Sequence, residues 1–318
     1  MQKKVLISVD GSRFSQGALK YAARIAALVE DMGFVLFHVQ PMVSGYLAEE
    51  ALKSPKARAE MEVLKKKNEA AATSLLEAGR EQLSRMGVDA GRIEIATQPR
   101  KAGLAEDILN TAEAGRYDAI GVGRRGLSAF QELFVGSVTS NLVTHSGQIP
   151  VWVVDGTVAS DHVLIAVDGS INALRAVDHA AFIFSGNKRV RFELLHIQPG
   201  LEDFCDLEPD AAEVEHLKQS IQETGRRCVR DFKAKAEARL KESGIGAEQI
   251  NFREIEKRRS PAKAIVEAVQ KGDFGTLILG RQGMGAGSSS GSASASFMGR
   301  VVTAVMQKID NRAVWIVP

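Results

Sequence analysis

Two stretches of this chain carry residues suited to holding an anion. One is Asp10-Gly11-Ser12. The other is Gly123-Arg124-Arg125-Gly126, followed after nine residues (127–135) by Gly136-Ser137. Glycines let a backbone turn with positive φ and approach a ligand closely. Successive N–H groups in such a loop form a concave anion site. Gly136-Ser137 is placed to open a helix, whose first N–H groups and positive dipole end would face the same anion. Ser137 adds a hydroxyl, either as a donor or as a ligand for a phosphate-bound Mg²⁺. Arg124 and Arg125 are placed to supply positive charge. Together these features describe a triphosphate cradle without a P-loop lysine, since GxxxxGK[ST] does not occur.

Other chemistry-bearing residues read as structural. Asp10 and Asp168 each follow an apolar run and precede Gly-Ser, which fits an Asx turn or helix cap as well as ligand recognition; the two roles are compatible. His38 and His196 have no second histidine or carboxylate at metal-ligand spacing and are read as structural. Trp152 and Trp315 are read as packing residues. Lys65-Lys66-Lys67 reads as a solvated helix face, and Lys257-Arg258-Arg259 as a charged loop. Cys205 and Cys228 lie in no CxxC or Cys/His pattern, so the expectation is two reduced thiols in a cytosolic protein.

The elements that position these residues alternate along the chain. Val5 to Val9 is a β-branched and aliphatic run, as expected of a strand buried on both faces. A helix with Ala18, Ala22, Ile25 and Val29 on one face follows, and Gly33 is expected to end it. Strands are expected at Phe34 to Val39, Ile93 to Thr97, Asp118 to Val122 and Val151 to Val154. Helices are expected from about Ala57 to Met86, with Leu64, Ala71, Leu75 and Ala78 on one face, from Leu104 to Glu113, and from Val138 to Thr144. Strict β/α alternation predicts a parallel sheet with helices on both faces, whose ligand site lies beyond the strand ends where the strand order reverses.

The whole arrangement occurs twice. Val5-Leu6-Ile7-Ser8-Val9-Asp10-Gly11-Ser12 recurs as Val163-Leu164-Ile165-Ala166-Val167-Asp168-Gly169-Ser170, and His38-Val39-Gln40-Pro41 as His196-Ile197-Gln198-Pro199, both at an offset of 158. Val151-Trp152-Val153-Val154 recurs as Val314-Trp315-Ile316-Val317. The repeat unit is a domain, with expected bounds 1–155 and 156–318. The copies differ at the glycine loop. Gly280-Arg281-Gln282-Gly283 begins it correctly, but fifteen residues (284–298), rich in Gly, Ser and Ala, separate it from Gly299, and Arg300 stands in the place of Ser137. Two readings remain: a decayed site, or an anion site in which Arg300 replaces the hydroxyl with charge. The entropy lost in ordering such a segment favours the first.

Composition agrees with two ordinary globular domains: 318 residues, 45% hydrophobic and 25% charged. A net charge of +2 with 6% aromatic residues offers no footprint for nucleic acid. The apolar run at the N-terminus is too short for a signal sequence or a membrane span, so the expected location is the cytoplasm.

With these residues in this order, the chain resembles the universal stress protein family in its tandem form, over nearly its whole length. The residues that carry the resemblance are the Val-Asp-Gly-Ser end of the first strand, His-Val or His-Ile near the end of the second, and the Gly-x2-Gly-x9-Gly-Ser loop, which the first half matches at every position. The resemblance implies an α/β fold of two Rossmann-like (adenine nucleotide alpha hydrolase-like) domains, each a five-stranded parallel sheet flanked by helices. It implies ATP with Mg²⁺ or Mn²⁺ in the first domain. Asp10 and Val39 would hold the adenine, Val39 through its main-chain N–H and C=O. Ser8 would lie near the ribose. Gly123, Gly126, Gly136, Ser137 and Val138 would surround the phosphates, with Arg124 alongside and Ser137 on the metal. The matching positions of the second half are Asp168, Ile197, Gly280, Gly283, Gly299 and Arg300.

The function expected is that of an ATP-binding regulatory protein of the stress-response type, with at most slow hydrolysis or autophosphorylation. No His/Asp pair or carboxylate pair stands out as a catalytic base. Two alternatives are an ATP-splitting transferase or ligase, whose usual SGGxDS loop or HIGH-type histidines do not occur, and an interaction protein with vestigial sites. The resemblance implies an adenine nucleotide and a regulatory protein as partners, neither nucleic acid nor membrane, and leaves room for a homodimer of the chain. Single-domain relatives dimerise through their last strands. The two last strands here, Val151 to Val154 and Val314 to Val317, are therefore expected to bring the halves together as an intramolecular pseudo-dimer.

Overall fold

The computed structural model describes residues 3–125, 135–198, 211–256, 260–283 and 298–318, with the side chains of 211–222 and of 256 left undescribed. The chain folds as two compact units, residues 1–157 and 158–318.

The first unit runs β1 (Lys3–Ser8), α1 (Arg13–Leu28), β2 (Met32–Gln40), α2 (Gly45–Lys53), α3 (Pro55–Arg85), β3 (Ile93–Pro99), α4 (Leu104–Ala114), β4 (Ala119–Gly123), α5 (Ser137–His145) and β5 (Val151–Val154). Its strands pair in the order β3-β2-β1-β4-β5, all parallel. The second unit repeats the plan with β6 (His162–Val167), α6 (Ile171–Ile183), β7 (Arg191–Gln198), α7 (Ala211–Glu242), β8 (Ile250–Glu256), α8 (Pro261–Lys271), β9 (Thr276–Gly280), α9 (Arg300–Lys308) and β10 (Ala313–Val317). Its order is β8-β7-β6-β9-β10, again parallel. Each unit is an α/β domain with a five-stranded parallel sheet. Strand order reverses between β1 and β4, and between β6 and β9, so each unit has its crevice there. No helix among the described residues is long and apolar enough to cross a membrane.

The Asp-Gly-Ser triplet builds the turn out of the central strand. Asp10 Oδ1 accepts the Ser12 N–H at 3.0 Å. Gly11 takes φ +78°, a conformation that favours glycine. Ser12 then caps α1 by accepting the Ser15 N–H at 3.1 Å. The second unit repeats each contact: Asp168 Oδ1 accepts from Ser170 N–H at 3.0 Å, Gly169 has φ +86°, and Ser170 accepts from Ala173 N–H at 3.1 Å.

Three expectations about elements are corrected. Gly33 does not end α1. The helix stops at Leu28 with Val29 extended, and Gly33 lies within β2, paired with Lys4. The buried face of α3 is Ala72, Leu76, Gly79 and Leu83, one residue on from the expected stripe; Leu64 is exposed and Ala71 and Ala78 face outward. The short apolar residues on both sides of this helix make neighbouring stripes look alike. Helix α2 was not anticipated; it is nine residues long, and only Ala51 of it is buried.

Both tryptophans pack in the cores, fully buried. Trp152 meets Tyr21 edge-on, with centroids 6.3 Å apart. Trp315 stacks on Phe184 at 5.5 Å and meets His179, the counterpart of Tyr21, edge-on at 5.4 Å. Burial pushes the His179 pKa down from 6.5 to about 3. A depressed folded pKa means that the unfolded chain takes up the proton first. The contribution to stability is therefore complete above about pH 6.5 and is lost as pH falls toward 3, on the order of 1 kcal/mol per pH unit. Urea denaturation read from Trp315 fluorescence in a Trp152→Phe background checks this. The midpoint is expected to fall over that window, and His179→Tyr to flatten the fall.

Candidate functional site

The crevice of the first unit is bounded by the ends of β1, β2 and β4 and by the start of α5. Phe37 directs its peptide group toward β1, its carbonyl accepting the Val9 N–H at 2.9 Å. Successive residues of a strand alternate in direction. His38 and Gln40 accordingly face β3: the His38 carbonyl accepts from Thr97 Oγ1 at 2.8 Å, and the Gln40 carbonyl from Arg100 N–H at 3.2 Å. Val39 therefore faces the β1 side again, beyond Ser8, where β1 has ended. Its N–H and C=O are presented to the crevice as a strand edge. Asp10 lies at the turn on that side. One carboxylate oxygen is engaged with the Ser12 N–H, so the Asx-turn role of Asp10 is directly visible.

His38 is structural in a way that serves this edge. Its Nδ1 lies 2.7 Å from the Val9 carbonyl. A carbonyl only accepts, so Nδ1 carries the proton. The bond ties the end of β2 to the residue before Asp10. His196 repeats it on the Val167 carbonyl at 3.0 Å.

At the phosphate end, Ser137 begins α5, and Gly136 is its N-cap with φ −62°. The N–H groups of Ser137, Val138 and Thr139 have no carbonyl four residues back within the helix, and Gly136 offers no side chain to cap them. Ser137 is exposed. Thr139, which the sequence reading did not single out, donates its hydroxyl to the Gly123 carbonyl at 2.9 Å and ties the first turn of α5 to β4. Its counterpart in the second unit is Val302.

Four expected site residues have other duties. The Gly136 N–H donates to the Arg124 carbonyl at 3.0 Å, closing the loop instead of facing a ligand. Gly123 is fixed by packing: a Cβ there would lie 2.5–2.8 Å from Phe14 atoms in the first turn of α1. Gly280 meets Asn172 in the same way, at 2.9–3.0 Å. Arg124 does not offer its charge to the crevice. Its side chain is buried and bonded to Asp155 Oδ2 at 3.0 Å. Arg125 is only half-buried, with its guanidinium 5.3 Å from the centre of the Phe14 ring. Gly126 lies outside the described residues.

The second crevice differs. Gly299 caps α9 and donates to the Arg281 carbonyl at 3.0 Å, as Gly136 does to Arg124. Arg300 occupies the first helical position and is exposed. Ile197 holds the place of Val39. A Cβ on Gly283 would stand 2.6 Å from Asp168 Oδ2, so this carboxylate rests against the loop after β9. Asn172 Nδ2 donates to the Gln282 carbonyl at 3.0 Å and fastens the same loop to α6. Arg281 is buried, which pushes its pKa down, and Pro318 stands where the first unit has Asp155. Of the expected insertion, residues 284–297 lie outside the described residues, as do Lys257-Arg258-Arg259 and Cys205. Cys228 is a free, exposed thiol.

The Arg124–Asp155 pair gives a stability prediction. Asp155→Ala leaves a buried guanidinium without its carboxylate and is expected to cost the first unit about 3 kcal/mol. Urea denaturation read from Trp152 in a Trp315→Phe background measures it. A loss below about 1 kcal/mol would mean that the pair behaves as a surface contact.

The profile of the universal stress protein family matches residues 1–155 and again residues 160–318. A universal stress protein of Mycolicibacterium smegmatis is 26% identical over 310 residues, covering 95% of each chain. Among solved structures, a universal stress protein from Archaeoglobus fulgidus covers 100% of this chain and 98% of its own, with a TM-score of 0.61 and 18% identity. A functionally unknown protein from Pseudomonas aeruginosa covers 99% of this chain and 92% of its own, with a TM-score of 0.58 and 16% identity. At such identities the two structures speak for the fold alone. Two successive family matches account for nearly every residue, and the chain belongs to the universal stress protein family.

Proposed function

We propose that the first unit binds ATP and that the protein is a nucleotide-responsive regulator of the stress-response type. The observation that carries this reading is the edge of Val39. A peptide N–H and C=O directed past the end of a neighbouring strand can read the hydrogen-bonding edge of a purine as another strand would. Asp10 and Ser8 flank it, and the N–H groups of Ser137, Val138 and Thr139 await an anion across the crevice. Gly126 belongs to the same proposed phosphate loop.

A divalent ion fits this arrangement only as a companion of the phosphates. Among the described residues no group of three or more His, Cys, Asp or Glu side chains could hold one. Mg²⁺ binds through substrate phosphates with few protein ligands, and the Ser137 hydroxyl would be such a ligand, for Mg²⁺ or Mn²⁺. When bound, the ion neutralises phosphate charge. The chain's part is to present N–H donors, and binding donors alone do not accelerate hydrolysis. Turnover no faster than slow hydrolysis or autophosphorylation follows, in the cytoplasm.

In the second unit, Asp168 resting on Gly283 and Arg300 in place of the serine support a vestigial site. Calorimetry with Mg·ATP is expected to give one site per chain. Ser137→Ala should weaken binding about tenfold, a loss of roughly 1.4 kcal/mol, and Arg300→Ala should leave it unchanged. Two equal sites, or loss of binding through Arg300→Ala alone, would overturn the assignment.

The pseudo-dimer rests on β5 and β10, each the last strand in its unit's order and wholly apolar. An apolar edge of this kind needs covering, and each strand can supply the other's cover. Small-angle scattering of the intact chain is expected to show one compact particle; a profile of two separated bodies would refute the arrangement.

A further inference from the structure

The fate of Arg124 leaves open what balances a polyphosphate in the first unit. Two other guanidinium groups, one from each loop that bounds the crevice, lie near a single phenyl ring. Arg13 Cζ lies 4.8 Å from the centre of the Phe14 ring, and Arg125 Cζ lies 5.3 Å from it. Both fall within the ~6 Å over which a ring face attracts a cation. Phe14 is fixed in turn, because its backbone and Cβ press on Gly123 at the end of β4 so closely that no side chain fits there. Arg13 is the first residue of α1, three positions after Asp10, and Arg125 is two positions after Gly123. One ring therefore gathers a cation from each of the two crevice loops.

The second unit lacks every part of this device. Ile171, Asn172 and Gln282 stand in the places of Arg13, Phe14 and Arg125. There the same junction is made without an aromatic ring, by Asn172 Nδ2 donating to the Gln282 carbonyl at 3.0 Å, while Asn172 Oδ1 accepts from Arg175 Nη1 at 3.2 Å. The packing demand is common to both units, since Gly280 is pressed by Asn172 as Gly123 is by Phe14. Among the described residues, an aromatic ring holding two guanidinium groups is peculiar to the first.

We propose that Phe14 is a positioning residue that holds Arg13 and Arg125 against the outer phosphates of the nucleotide, and that this clamp makes the first unit selective for polyphosphates over AMP. The proposal rests on the reading of this unit as a nucleotide site. A guanidinium held over a ring keeps its charge and its planar fork of N–H donors, which suits phosphate oxygens. The α-phosphate and the base are met by main-chain groups that the clamp does not touch. The clamp therefore acts on the number of phosphates and leaves recognition of adenosine alone.

The test is calorimetric titration of the full chain with Mg·ATP and with AMP, for wild type, Arg125→Gln, Arg125→Lys and Phe14→Leu. Arg125→Gln, which installs the residue found at position 282, is expected to weaken ATP about tenfold and AMP less than twofold. Phe14→Leu keeps both charges but removes their platform; it is expected to lower the ATP-to-AMP affinity ratio about threefold. Arg125→Lys should fall between wild type and Arg125→Gln. Because each comparison is a ratio within one variant, a general loss of fold would weaken both ligands alike and would not reproduce the pattern. A wild-type protein that binds ATP, with a ratio unchanged in Arg125→Gln, overturns the clamp alone. A wild-type protein that binds neither nucleotide overturns the site and the clamp together.

Discussion

Strand β1 lies at the centre of its sheet, between β2 and β4, and has to leave it at one fixed peptide. The Asx turn of Asp10, the left-handed Gly11 and the Ser12 cap accomplish this within three residues. The His38 bond to the Val9 carbonyl pins the exit to the neighbouring strand. Because β2 continues to Gln40 while β1 stops at Ser8, one peptide of β2 loses its ladder partner and faces the crevice. The candidate base-reading edge is a product of unequal strand length. It needs no side chain of its own, so valine at 39 and isoleucine at 197 place no different demand on it.

The second unit preserves this exit contact for contact, yet its crevice differs. The difference lies in what rests on the strand ends. In the first unit the Arg125 guanidinium lies over the Phe14 ring, and Thr139 ties α5 to β4. In the second, Asn172 fastens Gln282, Asp168 lies against Gly283, and valine replaces the threonine. The framework glycines persist in both because helix packing demands them. Glycine at 123 and 280 marks the close approach of the first helix turn to the fourth strand of its unit, and a ligand is not needed to explain it.

The fold was legible because each unit's strands are short apolar runs separated by strong turn signals, and because the repeat allowed one half to check the other. Strand positions therefore agreed to within a few residues. Helix faces were harder. Helix α3 carries alanines and leucines on adjacent stripes, and only contact with Leu19 and Leu36 beneath Gly79 selects the buried one. Helix α2 is only nine residues long and buries a single alanine. At the site, sequence singled out the two loops and the helix start. It could not tell Arg124 from Arg125. Adjacent residues of a chain leaving a strand point in opposite directions, and which one meets Asp155 depends on a carboxylate 31 residues away.

The sequence by itself determined the repeated domain, the parallel sheet, the Asp-Gly-Ser exit and the presence of a glycine loop opening a helix. All of these are properties of residues close together in the chain, where backbone conformation and apolar period decide. Tertiary structure alone decided which groups face the crevice. It turned Arg124 inward to Asp155, used the Gly136 N–H to close the loop, assigned Gly123 to Phe14, and directed the peptide of Val39 past the end of β1. Each depends on a partner brought in from another element. Burial then sets the outcome, because a buried charge or N–H must be satisfied by whatever the fold has placed beside it.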